Sequence, residues 1–285
     1  MSSVRFGMVA DVHHADLPTM PWSDGVFYRL ARERLADAVG HFRFASLDFV
    51  IELGDFKDLA RRQFPGPDGD DRDMEKTAGY LREIEDVFRS YEGPRYHVLG
   101  NHDNDLLGKR EFFSICPNTG IDPARSYYSF VVRGVTFIVL DGNFNKDGEA
   151  YTGVPLNWCW EESLIADEEL DWLEEELRRA PGHVVVFVHQ RLDAEARPNH
   201  RILNAGAVQR ILARSGKVRA VFQGHDHLGG YSVADGIGYY TLRALVAGPG
   251  EADNAYADVE VRCDGDIVVT GFGQAKSVRI DSQMR

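Results

Sequence analysis

The chain has 285 residues, 44% of them hydrophobic and 27% charged, with a formal net charge of -13. That balance fits a globular protein with a sizeable core and leaves disorder to the ends. The acidic surplus argues against partners that need clustered Lys and Arg, so no nucleic acid and no anionic membrane face is expected. Cys116, Cys159 and Cys263 are widely spaced in no metal-ligand pattern. They suggest neither a disulfide framework nor a thiolate zinc site, and a reducing compartment fits best. The opening "MSSVRFGMVADV" has no charged leader followed by a long apolar stretch, and no segment nears the ~18 apolar residues of a membrane span. The chain therefore reads as cytoplasmic and complete. Without an internal repeat or low-complexity linker, one domain over residues 1–285 is expected.

Short apolar runs alternate with amphipathic segments, the pattern of strands joined through helices in an α/β fold. In chain order, "VRFGMVA" is a strand, Phe27 to Ala45 a helix and "DFVIEL" a strand. The stretch Phe64 to Asp73 is a loop, Met74 to Tyr91 a helix, and "RYHVLG", "SYYSFVV" and "VTFIVLD" are strands. A long loop from Asp141 to Ser163 precedes a helix at Asp167 to Ala180, with Leu170, Leu173 and Leu177 as its buried stripe and Asp167 as its N-cap. The strand "HVVVFVH", a helix at Ala205 to Gly216 and the strand "VRAVFQG" follow. After Gly229, Asp-Gly turns between short strands predict antiparallel hairpins.

The residues directly after the apolar runs carry the chemistry. "FGMVA" is followed by Asp11-Val12-His13, "FVIELG" by Asp55, and "YHVLG" by Asn101-His102-Asp103. "VVVFV" is followed by His189, and "AVFQG" by His225-Asp226-His227. In open α/β sheets ligands bind outside the carboxyl ends of strands, so these five stops are expected to converge. Imidazoles, carboxylates and an amide oxygen without thiolate match a metal site, and seven such groups suit two ions rather than one zinc. A carboxylate bridges two ions comfortably, which leaves Asp11 and Asp55 as candidates. Two divalent cations against two carboxylates leave a local charge of about +2, enough to attract phosphate into an acidic protein. They would also lower the pKa of a bound water from 15.7 towards about 7, making hydroxide available for attack on phosphorus.

Asp-x-His, Gly-Asp, Gly-Asn-His-Asp, a strand-terminal His and Gly-His-x-His, in that order from Asp11 to His227, resemble the calcineurin-like metallophosphoesterase superfamily. The resemblance implies a four-layer α/β/β/α sandwich of two mixed β-sheets flanked by helices. It also implies hydrolysis of phosphoesters by attack of metal-bound hydroxide at a dinuclear centre. By the same resemblance Asp11, His13, Asp55 and His227 hold one metal, and Asp55 bridges to a second completed by Asn101, His189 and His225. The ions are divalent or trivalent: manganese, iron or zinc. His102 is the implied general acid at the leaving group, with Asp103 orienting it. "FGMVADVHHAD", "GHDHLGGYS…GIGYYTL" and "AYADVEVRCDGDIVVTGFG" are similar to the manganese-dependent ADP-ribose and CDP-alcohol diphosphatase group, which usually carries Gln where this chain has His13. The implied substrate is a small phosphodiester or nucleoside-diphosphate compound. Cyclic-nucleotide, glycerophosphodiester and phosphomonoester hydrolysis are the alternatives on the same chemistry. A non-catalytic interaction module on the same fold is the alternative of another class, and this chain shows none of the ligand losses that would mark it.

Other polar and aromatic residues have plainer readings beside these. His14 and Asp16 read as loop residues, and His41, His97 and His183 as packing or surface histidines. Asn199 and His200, in the loop after His189, either contact substrate or cap the next helix. Arg191 and Arg197 either clamp a phosphate or are ordinary exposed arginines, and Tyr231 either supports His227 or begins a hairpin. Trp22, Phe144, Trp158 and Trp160 either stack on a substrate ring or plug their loops against the body.

Overall fold

Strands that must be covered on both faces explain the unbroken apolar runs. In the computed structural model, which describes residues 3–21, 25–59, 71–153, 157 and 159–282, those runs become strands. They are β1 (Val4–Val9), β2 (Phe49–Glu52), β3 (Arg95–His97), β4 (Tyr128–Val132), β5 (Val135–Val139), β6 (Val184–Phe187) and β7 (Val218–Gln223). The hairpin region supplies β8 (Gly230–Ala234), β9 (Ile237–Thr241), β10 (Ala255–Val261), β11 (Ile267–Gly273) and β12 (Val278–Ile280). The helices are α1 (Ala31–Phe44), α2 (Asp71–Phe88), α3 (Lys109–Ile115), α4 (Asp167–Arg179) and α5 (Ala205–Ser215).

Two six-stranded mixed sheets form, ordered β12-β11-β10-β1-β2-β3 and β4-β5-β6-β7-β9-β8. Alternation along each strand divides its side chains between two cores. Phe6 and Met8 of β1, Phe137 of β5, Phe187 of β6 and Phe222 of β7 meet between the sheets. Val9 and Val50 face outward onto α1 and α2 residues such as Leu35, Phe42, Leu81 and Ile84. Ile138, Val186 and Val221 face outward onto Leu173 and Leu177 of α4 and Val208 and Leu212 of α5. The result is the expected helix–sheet–sheet–helix layering.

Several boundaries differ from expectation for physical reasons. α2 begins at Asp71, so the end of the expected Phe64 to Asp73 loop is helical, while its residues 64–70 lie outside the described residues. Asp167 is the first residue of α4 and Ala166 its N-cap; with Glu168 and Glu169 it places negative charge in the first turn, where the helix dipole favours it. α3 has only seven residues, too short for a helical period to show in the sequence. The Asp235-Gly236 turn has φ of 51° and 73°, the left-handed pair that closes a two-residue hairpin between β8 and β9.

What positions the site is strand direction. β1 runs parallel to β2 and β2 to β3 in one sheet, and β6 runs parallel to β7 in the other. The carboxyl ends of β1, β2 and β3 thus share one edge of the first sheet and those of β6 and β7 one edge of the second, and the two edges meet where His189, after β6, reaches the Leu53 carbonyl, after β2, at 2.9 Å.

Candidate metal centre

Six of the seven expected ligands come together in two groups, Asn101 lies beside them in the chain next to His102, and none of the seven is more than 8% exposed. Asp11, His13 and His227 bring donor atoms within 4.8 Å of one another, and so do Asp55, His189 and His225. In the first group His13 Nε2 lies 3.0 Å from His227 Nε2, with Asp11 Oδ1 3.9 Å from the former and 3.6 Å from the latter. In the second, His189 Nε2 lies 3.1 Å from Asp55 Oδ2. The same Asp55 oxygen is 3.6 Å from His13 Nε2, so Asp55 is the carboxylate that touches both groups. Asp11 instead accepts the backbone N–H of His225 at 3.0 Å and 3.1 Å.

The backbone is bent to make this convergence. Asp11, His13, Asp55 and His225 have φ of 52°, 43°, 57° and 66°, half of the non-glycine residues with positive φ among the described residues. Left-handed backbone costs about 1–3 kcal/mol per residue and persists where the surroundings over-determine it. The motif glycines permit close approach. A Cβ on Gly54 would sit 2.5 Å from His189 Nδ1, and one on Gly100 would collide with the backbone and carboxylate of Asp55.

Donor chemistry fits a cation. Asn101 Oδ1 and His225 Nε2 are buried without a hydrogen-bond partner, a cost of about 1–3 kcal/mol each that a bound ion would relieve. His189 Nδ1 is 2.9 Å from the Leu53 carbonyl, an acceptor that favours a proton on that nitrogen and so would leave Nε2 to face a cation. Burial, and then neighbouring imidazoles, hold His225 and His227 well below the ordinary histidine range, in the neutral form that offers a lone pair. Burial pushes Asp11 up to about 7. For Asp55 burial acts in the same direction, but His189, His102 and His13 outweigh it and hold the carboxyl well below its usual range.

His102 sits beside this centre, its ring 5.0 Å from that of His13 and its backbone N–H donating to Asp55 Oδ1 at 2.8 Å. The orienting role expected of Asp103 is not supported by its contacts. The Asp103 carboxylate turns the other way and accepts the backbone N–H groups of Asp55, Phe56 and Gly100 at 2.8–2.9 Å, tying the second and third motifs together. His102 Nδ1 pairs with Asp105 Oδ2 at 2.7 Å, and Asp58 Oδ1 lies 3.7 Å away. Residues 102–104 form a single 3-10 turn, in which positions i and i+3 eclipse, so Asp105 lies over His102. Burial opposes charge on His102, but Asp58, Asp105 and Asp55 more than offset it and raise its pKa to about 10. The fully buried Lys57 donates from Nζ to the carbonyls of His102 and Asp105, pinning both ends of the turn. Asp58, Asp105 and Lys57 carry no strand-end signal, and only the three-residue spacing of Asp105 from His102 foreshadows a contact.

His200 reaches the site and Asn199 supports it. The His200 ring is 5.0 Å from His225, its Nδ1 is 2.8 Å from Asn199 Oδ1, and the α5 cap is Asn204 rather than either. Arg191 is neither a free phosphate clamp nor exposed. It is buried, with Asp193 at 2.6 Å and Asp226 at 3.0 Å filling its guanidinium. Tyr231 begins β8. His14 pairs with Glu83 at 3.0 Å and Asp16 with Arg29 at 2.6 Å, both apart from the ligands. Phe144 stacks under Lys109 Nζ at 4.0 Å, and Trp22 and Trp158 lie outside the described residues.

The family model for calcineurin-like phosphoesterases matches residues 4–229. A manganese-dependent ADP-ribose/CDP-alcohol diphosphatase of Oryza sativa subsp. japonica is 26% identical over 93% of this chain and 90% of its own. One of Arabidopsis thaliana is 27% identical over 89% and 90%. A crystal structure of a dimetal phosphatase from Danio rerio superposes with a TM-score of 0.82 at 21% identity, covering 99% of this chain and all of that one. Among the described residues no helix is long and apolar enough to cross a membrane. A family match that spans all five strand-end motifs, on this fold and around these two donor groups, makes the chain a member of the calcineurin-like phosphoesterase family and a metal-dependent hydrolase of phosphoric esters or anhydrides.

Proposed function

We propose that the chain hydrolyses the phosphoanhydride of a small nucleoside-diphosphate compound of the ADP-ribose or CDP-alcohol type. The observation that carries this reading is the pair of donor groups joined by Asp55, with His102 beside them. The diphosphatase activity for which the two plant relatives are named supports the substrate class. Asp11, His13, Asp55 and His227 would hold one cation and Asp55, Asn101, His189 and His225 the other. When bound, two such ions neutralise phosphate charge and lower the pKa of water to supply the nucleophile.

The chain's own residues supply the rest. His102, protonated between Asp58 and Asp105, gives its proton to the departing oxygen. Lys57 and the 3-10 turn hold that imidazole still, so the proton is already in place when the bond to phosphorus lengthens. Asp103 keeps the Asp55 and Gly100 loops in register and so fixes the distance between the ligand carboxylate and the acid.

A substrate panel with added Mn²⁺ tests the reading, using ADP-ribose, CDP-choline, cyclic AMP, a glycerophosphodiester and a phosphomonoester. The expected result is the highest kcat/KM on ADP-ribose or CDP-choline. A preference for cyclic AMP, the glycerophosphodiester or the monoester would replace this substrate class with another.

A further inference from the structure

Beyond the ligands, the rim of the site carries an exposed aromatic side chain held in place by an ordered hydrogen-bond chain. Trp160 is 39% exposed, its ring centroid 5.3 Å from His200 and 6.2 Å from the ligand His225. Arg197 donates to His200 Nε2 at 3.0 Å, so the imidazole proton sits on Nδ1, which donates to Asn199 Oδ1. Arg197 also grips Asp226, the residue between His225 and His227, at 2.9 Å. The orientation of His200, and through it of Trp160, is thus tied to the metal-ligand loop itself.

A tryptophan that merely plugged its loop would bury the indole, the largest apolar surface of any side chain. Trp160 leaves much of it open, edge-to-face against His200 at 74°. Its neighbour Glu161 lies on the same rim, 3.5 Å from the Asn199 amide. With Glu161 balanced by the half-exposed Arg197, the rim offers an open aromatic face without a surplus of either charge, which suits an uncharged flat ring. His102 packs on His13 whereas His200 packs on His225, so the ring would belong to the part of the substrate away from the acid.

From this geometry we propose that Trp160 and His200 form a subsite that stacks a planar heteroaromatic ring, such as a nucleobase, one sugar's reach from the phosphate. The proposal rests on the phosphoanhydride reading above and names how the organic half of that substrate is held. It makes Trp160 a specificity-determining residue, positioned by His200, Asn199 and Arg197.

Calorimetric titration of the Mn²⁺-loaded protein with two non-hydrolysable probes tests it: α,β-methylene-ADP, which carries a ring, and methylenediphosphonate, which does not. The wild-type protein is expected to bind the ring-bearing probe more tightly. Trp160→Ala is expected to weaken that probe by about 5- to 150-fold, the range base–aromatic stacking supplies. It should leave methylenediphosphonate within about twofold, and Trp160→Phe should restore most of the difference. Equal weakening of both probes would overturn the subsite and make Trp160 a structural prop. No advantage for the ring in the wild-type protein would overturn it too. Failure of the wild-type protein to bind either probe would instead defeat the phosphate-site reading beneath it.

Discussion

Two buried clusters of imidazole and carboxylate lie a few residues apart along β2 and β3, and they behave differently. At the end of the strands, Asp55 and Asn101 belong to the proposed metal centre; three and four residues earlier, Glu52 and His97 belong to a second cluster with Glu85 and Cys116. His97 stands between Glu52 Oε2 and Glu85 Oε2, each 3.3 Å away, so each ring nitrogen faces a carboxyl oxygen. None of these four residues has positive φ. At the metal centre four ligands are bent into left-handed backbone, and Asn101 Oδ1 and His225 Nε2 are left without partners. The residue types are nearly the same; left-handed backbone marks only the first, and in the second the atoms that lack a hydrogen bond, His97 Nε2 and Glu85 Oε2, face each other at 3.3 Å as an ion pair.

The largest effect that would sharpen this contrast is at His102. His102→Ala is expected to lower kcat by about 10²- to 10⁴-fold while metal content stays unchanged, because the side chain acts on the leaving group rather than on an ion. Asp105→Asn should act through the same imidazole with a smaller loss of about 10- to 100-fold. Asp103→Asn, which loosens backbone contacts, should lower thermal stability and activity together. Steady-state kinetics beside metal analysis reads all three, and loss of metal in His102→Ala would place that residue among the ligands.

A smaller effect is expected in the second cluster, and it concerns stability. Burial alone would lower the His97 pKa, but Glu85 and Glu52 raise it to about 9, and burial raises Glu52 to about 8. Both groups hold a proton more tightly when folded than at their ordinary values of 6.5 and 4.5. Their contribution is therefore full below those ordinary values and is lost as pH rises through about 8 to 9. The thermal midpoint should fall between pH 7 and pH 10, and His97→Gln should flatten that fall. A midpoint that holds level over this range in the wild-type protein would show that the cluster is not bound together by its protons.

The proposed ligands stand out in sequence because they follow apolar runs, and the structure brings those strand ends together across the two sheets. The two-sheet layering came from resemblance, since unbroken apolar runs reveal burial on both faces but not which strands share a sheet. Asp105 was not legible, because its contact with His102 depends on a 3-10 turn that no periodicity announces. Asp103 was misread because adjacency in sequence was taken for adjacency in space; along an extended or turning chain the next side chain points elsewhere. Arg191 was misread for want of its partners, Asp193 and Asp226, the latter more than thirty residues away.

Metal content bears on the central claim most directly. Purified protein loaded with Mn²⁺, dialysed and analysed by mass spectrometry, should hold two ions per chain and turn over bis-p-nitrophenyl phosphate. Asp55→Asn should lose metal and activity together, whereas Cys116→Ser should keep both, since burial raises the Cys116 thiol well above its ordinary range and His97 already has two carboxylate partners. Protein that stays metal-free and inactive with Mn²⁺ would contradict the account, as would a metal content that follows Cys116 rather than Asp55.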